Sequence, residues 1–394
     1  MRSSSPEAVN WLPAAAGMVF LGLGPGLIGI YGFFVEPLSR EFGVGAAVIN
    51  IGSVALLLVG SLAAPFAGKL IDRLPIRRLL LIGVTLSMCA LLAVSRAPSL
   101  PLALLAFLLF AAGLALYGPV AVNGLMVKLY PGREARALAV AAIGISVASA
   151  FLPPLIGLLL ANYDWRAALA IVAAASLLLL WVVALTTLPA GLVGKVVESG
   201  STGGGGFYRQ PAFWLIGIAM ALGLNVAVVL TVSYPLHFSV RGFSVAEAGW
   251  FLSIAGLSGL TGKVLLASLG DALRHHARWL AAGIILGQVA GLCLLLTARE
   301  HGSVVLAMMV MGFSTGAFLP MHPYLNSRHF DVAVIGSVTG AQMPLFLPFA
   351  LVGAPLAGYV YDRTGSYDTV LIALAAALVV AALLLCWLPR AKPD

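Results

Sequence analysis

The chain has 394 residues, 61% of them hydrophobic and 9% charged, with a mean hydropathy of +1.06. Soluble proteins carry about a quarter charged residues, so a soluble enzyme, a disordered chain and a disulfide scaffold are excluded. The net charge of +8 does not signal nucleic-acid binding, because the 22 Lys and Arg sit in short gaps between apolar runs rather than on one face.

A bilayer core about 30 Å thick needs roughly 20 apolar residues per helix. Twelve such runs follow one another: 12 to 35, 46 to 70, 79 to 95, 101 to 127, 137 to 161, 167 to 188, 212 to 236, 246 to 270, 279 to 298, 303 to 325, 332 to 358 and 369 to 389. The first exceeds the apolar length of a signal peptide, about 7 to 15 residues, and further spans follow it. The fold class is therefore all-α integral membrane. Positive charge is retained on the cytoplasmic side of a membrane. With the N-terminus inside, cytoplasmic segments hold 15 Lys and Arg, Arg2, Lys195, Arg390 and Lys392 among them, and the opposite loops hold six. This count places both termini in the cytoplasm of a multi-pass protein of the cell membrane. Cys89, Cys293 and Cys386 lie inside apolar runs without CxxC or His spacing, so no metal, cofactor or disulfide site is expected.

The one long polar stretch between spans, near 189 to 211, contains Ser199-Gly200-Ser201-Thr202 followed by four glycines, the composition of a flexible linker. It divides the chain into a six-helix bundle at 1–188 and a second at 212–394. The halves repeat: Glu36-Pro37-Leu38 matches Tyr234-Pro235-Leu236, Asp72 matches Asp271, and Pro154-Leu155-Ile156-Gly157 matches Pro355-Leu356-Ala357-Gly358, at offsets of 198, 199 and 201. Two parallel six-helix repeats place a substrate site at the midplane between them, the arrangement of alternating-access carriers.

The loop after span two reads Gly68-Lys69-Leu70-Ile71-Asp72-Arg73-Leu74-Pro75-Ile76-Arg77-Arg78. It resembles the G-x-L-x-D-R-x-G-R-[RK] signature of the major facilitator superfamily, with Pro75 and Ile76 departing from the glycine region. The resemblance implies a pair of pseudo-symmetric bundles, a functional monomer and a conformational role for Asp72, Arg73, Arg77 and Arg78. An aspartate can cap a neighbouring helix, and arginines can bind the last carbonyls of another. Tyr117, the R-x-x-R-A-L-A run from Arg133, Pro153-Pro154, Trp165-Arg166 and the stretch Gly358 to Tyr367 resemble the monocarboxylate and oxalate/formate branch. In that branch an arginine of span eight takes the substrate carboxylate. Here Lys263 stands at the aligned position, a point charge instead of a planar fork.

An ionisable residue inside a span is costly and faces a cavity or partner. Lys263 is therefore the first substrate-binding candidate, with snorkelling towards the interface as its structural alternative. No Asp or Glu occupies the middle of any span, and a cavity holding a cation and no fixed anion favours a negative substrate. Further candidates come from spans that line the cavity in the superfamily: Tyr31, Tyr117, Asn123, Asn225 and His322. Tyr234 and Tyr324 read as interfacial-belt residues, and Gln342 as a poorer candidate. Proton coupling would fall to His237, His322 or Glu36. The reading is a secondary carrier of a small monocarboxylate or related organic anion, with protons as a second partner. Multidrug efflux by a carrier of the same superfamily is the alternative, and a receptor or scramblase without solute flux is a different class.

Overall fold

In the computed structural model, which describes residues 9–191, 206–389 and 391, the chain is helical with no strand among the described residues. The first half comprises α1 (Leu12–Leu23), α2 (Pro25–Ile28), α3 (Gly32–Phe42), α4 (Ala46–Arg73), α5 (Ile76–Arg96), α6 (Leu100–Tyr117), α7 (Pro119–Leu129), α8 (Glu134–Asn162) and α9 (Trp165–Thr187). The second comprises α10 (Pro211–Val240), α11 (Val245–Leu269), α12 (Ala277–Thr297), α13 (His301–His329), α14 (Ile335–Gln342), α15 (Leu347–Thr364) and α16 (Asp368–Cys386). Eleven stretches are long and apolar enough to cross a bilayer, and the bent first span, whose two arms meet at 43°, makes twelve.

Three spans are interrupted at a proline that cannot donate to the preceding turn, and the first has a second, proline-free break at 29–31 between α2 and α3, across which its arms meet at 43°. Gly24-Pro25 separates α1 from α2, Gly118-Pro119 separates α6 from α7, and a 3-10 turn at Met343–Phe346 with Pro344 separates α14 from α15. Span five behaves differently, since α8 runs unbroken through Pro153 and Pro154. Local caps fix other starts: Asp164 accepts from Ala167 N at 2.9 Å, and Ser244 with Glu247 closes a capping box on α11. Most of the linker expected at 189–211 lies outside the described residues, at 192 to 205. Arg2, Lys195, Arg390 and Lys392 lie outside them as well.

Both ends of the described chain lie at one end of the bundle. Tyr130, after α7, donates through its hydroxyl to Asn10 O at 2.8 Å, and His329 Nε2 lies 3.1 Å from Pro389 O. This is the terminal end of the bundle, and the opposite one is the far end. The repeat is visible in the contacts there. Arg77 donates to Leu188 O at 3.3 Å in the first half, and Arg278 donates to Leu388 O at 2.7 Å in the second. In each case a guanidinium meets the last carbonyls of a half's sixth span, where a helix carries its negative pole.

Helices approach closely where side chains are small. A Cβ on Gly316 of α13 would lie 1.9 Å from Gly259 O of α11, and one on Gly312 would lie 2.1 Å from Ala255 O, so the G-x-x-x-G pair of α13 seats the two helices against each other. Between the halves, α4 crosses α14 in the same way. A Cβ on Gly340 would lie 2.2 Å from Ala64 O, and one on Gly68 would lie 2.1 Å from Gly336 O. The second crossing between halves sets α8 against α11 and carries the site described next.

Candidate functional site

Two carboxylates join the halves at the terminal end. Asp72, in the last turn of α4 and 8% exposed, accepts from Gly336 N at 3.0 Å and Ser337 N at 2.6 Å, the first turn of α14. Lys128 of α7 also reaches it, with Nζ 3.3 Å from Asp72 Oδ1 and 3.0 Å from Ile71 O. Asp271, just beyond α11, accepts from Ala135 N at 2.8 Å and Arg136 N at 3.2 Å, the first turn of α8, while Arg136 Nε donates back to Ala267 O at 3.1 Å. Exposed N–H groups and the positive pole of a helix start favour a carboxylate in each place. Burial nevertheless holds the Asp271 carboxyl above its ordinary range, opposed by the N–H groups of Ala135 and Arg136. Of the signature arginines, Arg77 binds within its own half, and Arg73 and Arg78 are exposed.

Above this clamp, Lys263 lies in α11 roughly two-thirds of the way through its span from the far end, counting about 1.5 Å per residue. It is 3% exposed, and its Nζ donates to Ser146 Oγ of α8, across the boundary between halves. An ammonium has three protons to donate. Among the described residues Ser146 is its hydrogen-bond partner, and no carboxylate forms an ion pair with it. A buried cation with one neutral acceptor has its charge uncompensated, and an anion entering beside it would gain strongly.

The other candidates are distributed rather than gathered around Lys263. Tyr117 ends α6 fully buried, edge-on to Phe20 at 6.4 Å, with no partner for its hydroxyl among the described residues. Asn123, on α7, is partly exposed. The Asn225 amide of α10 is pressed against Gly353 of α15, its Oδ1 buried and unpartnered among the described residues. Tyr31 belongs to the far end, where its hydroxyl donates to Ile49 O at 2.5 Å and its ring meets Phe107 at 5.3 Å. It lines an apolar cavity of about 180 Å³ together with Phe34, Leu91, Phe110 and Val172. His237 is buried near the far end of α10, and Glu36 is 72% exposed in an i,i+4 pair with Arg40. Tyr234 and Tyr324 are not belt residues: both are buried, Tyr234 stacking on Phe238 and Tyr324 donating to Gly270 O at 2.9 Å.

His322 sits in a buried polar cluster that sequence alone does not bring together. Its Nε2 lies 2.7 Å from Gln342 Oε1, and Asn326 Nδ2 donates to Gln342 Oε1 at 2.7 Å and to Thr339 Oγ1 at 3.2 Å. Gln342 Nε2 completes the chain to Phe213 O of α10 at 2.8 Å. Asn326 sits one turn beyond His322 on α13, a spacing that puts both on one face. The partners Thr339 and Gln342 come from α14, and only the tertiary fold brings them near.

At the far end each half is stapled by an arginine. Arg166, opening α9, donates to Ser95 O and Ala97 O at 3.0 Å each and pairs with Glu41 of α3 at 2.9 Å. Arg241, closing α10, donates to Leu295 O at 2.5 Å, Ala298 O at 2.8 Å and Leu296 O at 3.2 Å, and pairs with Asp368 of α16 at 2.8 Å. The two staples occupy equivalent positions with opposite polarity.

Two like six-helix halves, a buried charge between them and reciprocal capping at one end define a multi-pass membrane carrier. Residues 16–350 match the Major Facilitator Superfamily, and the chain belongs to that superfamily of transporters. It is 28% identical over 372 residues to monocarboxylate transporter 13 of Rattus norvegicus, covering 91% of this chain and 83% of the relative. It is 26% identical over 412 residues to monocarboxylate transporter 11 of Mus musculus, covering 98% and 88%. Its fold is similar to that of the major facilitator transporter FucP in the outward conformation, with a TM-score of 0.76 at 13% identity over 96% of this chain and 98% of that one.

Proposed function

We propose that the chain carries a small monocarboxylate or related organic anion by alternating access, with Lys263 as the counter-charge for the substrate. The observation that carries this reading is the buried Lys263 ammonium, held between the halves by Ser146 and lacking a carboxylate partner among the described residues. The names of the relatives, monocarboxylate transporters 13 and 11, support the same class of substrate. Tyr117 and Asn123, on the two segments of span four, are the proposed assisting donors. The terminal end is proposed to face the cytoplasm, in agreement with the distribution of Lys and Arg. The clamp at Asp72 and Asp271 is then the inner gate, and the chain acts as a monomer in the cell membrane. A coupled proton is assigned to His322, whose neighbours Gln342 and Asn326 offer it hydrogen bonds in a buried setting.

The test is uptake of radiolabelled lactate, pyruvate, formate and oxalate into proteoliposomes, with and without an inward proton gradient. Saturable uptake of one acid that Lys263→Ala abolishes is expected. His322→Gln is expected to remove stimulation by the gradient while leaving gradient-free uptake. Wild-type vesicles that move none of the four acids, or Lys263→Ala vesicles with normal uptake, would overturn the substrate or the site.

A further inference from the structure

We infer that Ser146 donates to the substrate carboxylate directly beside Lys263, so that the carboxylate group itself is gripped from both halves of the carrier. This rests on the anion-carrier reading of Lys263. In the structure the lysine donates to the Ser146 oxygen, which leaves the serine's own proton unspent: among the described residues it has no acceptor. Most hydroxyls on these helices turn back to a carbonyl three or four residues earlier, as Ser149 does to Ile145 O at 2.9 Å and Ser253 to Gly249 O at 3.0 Å, while Ser258 spends its proton on Met309 O of α13 at 2.7 Å. The turn back is the ordinary resting place of a helical serine in an apolar setting. Ser146 Oγ accepts from the ammonium instead, and among the described residues it makes no bond back to its own helix turn.

A carboxylate has two oxygens, and an arginine would satisfy both with its planar fork, whereas a lysine offers a point charge. A hydroxyl within hydrogen-bond reach of Nζ supplies the missing second donor. A carboxylate entering here takes one bond from Nζ and one from Oγ–H, replacing the direct lysine–serine bond. The ligand then bridges α8 of the first half and α11 of the second, the helices that already meet at Asp271. Binding at Ser146 is thus coupled to the crossing that must open when the halves rock.

The decisive experiment measures KM and maximal rate for the acid taken up by wild type, in Ser146→Ala, Ser146→Thr, Lys263→Arg and the double variant Lys263→Arg with Ser146→Ala. Ser146→Ala is expected to raise KM about tenfold with the maximal rate retained, the size of one hydrogen bond to a charged group. Ser146→Thr, which keeps the hydroxyl, restores KM. In the Lys263→Arg background the guanidinium supplies both donors, and removing the serine hydroxyl changes KM less than about twofold. A Ser146→Ala carrier with wild-type KM overturns the inference while leaving the anion-carrier reading intact, provided Lys263→Ala is inactive. An equal rise in KM in both backgrounds, unrescued by threonine, assigns Ser146 a packing role and also overturns it. Normal uptake by Lys263→Ala overturns the reading and the inference together.

Discussion

Asp72 and Asp271 hold equivalent positions, and each caps the first turn of a helix belonging to the other half: Asp72 binds α14 and Asp271 binds α8. The clamp is reciprocal, and it is unequal in one respect. Asp72 also has Lys128 beside it, whereas the closest hydrogen-bond partners of Asp271 are backbone N–H groups.

That inequality separates two substitutions. Asparagine retains capping ability, and because burial already offsets the charge–dipole gain at Asp271, Asp271→Asn should change stability by less than about 1 kcal/mol. Asp72→Asn strands Lys128, whose side chain is 5% exposed, and removing one partner of a buried pair costs about 3–5 kcal/mol. Thermal unfolding in detergent should therefore show the larger loss for Asp72→Asn. Equal losses would remove Lys128 from the account of the clamp.

Acidity should tighten the Asp271 side of the gate. Its carboxyl, lifted above 3.8 by burial and by the nearby Glu134 and lowered in part by Arg136, holds a proton more firmly in the clamped state than it would when wetted. The clamped state gains below the raised value and loses that gain as pH rises through it. Labelling of a cysteine placed beside α8 at the terminal end, taken at each pH relative to the same reagent on a fully exposed cysteine because the thiolate fraction itself falls with pH, should fall as pH is lowered from neutral towards 4. Asp271→Asn should flatten that dependence, and an unchanged profile in the variant would assign it to another group.

Two glycine substitutions of similar crowding should act at different levels. Gly340→Ala pushes α14 off Ala64 O across the boundary between halves, and Gly316→Ala pushes α13 off Gly259 O within the second half. Overpacking costs about 1–3 kcal/mol. Gly340→Ala is expected to increase terminal-end accessibility to a thiol reagent with little change in melting temperature, because each half remains intact. Gly316→Ala is expected to lower the melting temperature, and the reverse pattern would place the mobile boundary elsewhere.

The sequence makes the spans, the repeat and Lys263 legible for one reason: a charge or a turn residue inside a long apolar run stands out against its background. Asp72 and Asp271 are visible through the repeat, though which helix each one caps is not. Ser146 carries no such signal, since serines are common in packed membrane helices and its significance comes from the α8–α11 crossing. Gln342, a poor candidate from its position in span eleven, anchors the His322 cluster because the break at Met343–Phe346 ends α14 beside α13. Tyr324 reads as a belt residue from its place near a span end, but the Gly270 carbonyl draws it inward. What stayed hidden depends on contacts between helices far apart in the chain, which apolar periodicity does not encode.

The opposite polarity of the two far-end staples bears on how the helices find their places during insertion. Glu41 and Arg166 pair in one half, Arg241 and Asp368 in the other. Were the sixth helix of either half to dock on its sister's scaffold, Glu41 would confront Asp368 and Arg166 would confront Arg241. Like charges brought together near the membrane surface repel. Two bundles alike enough to exchange parts thus carry a sorting code that keeps each helix with its own kin.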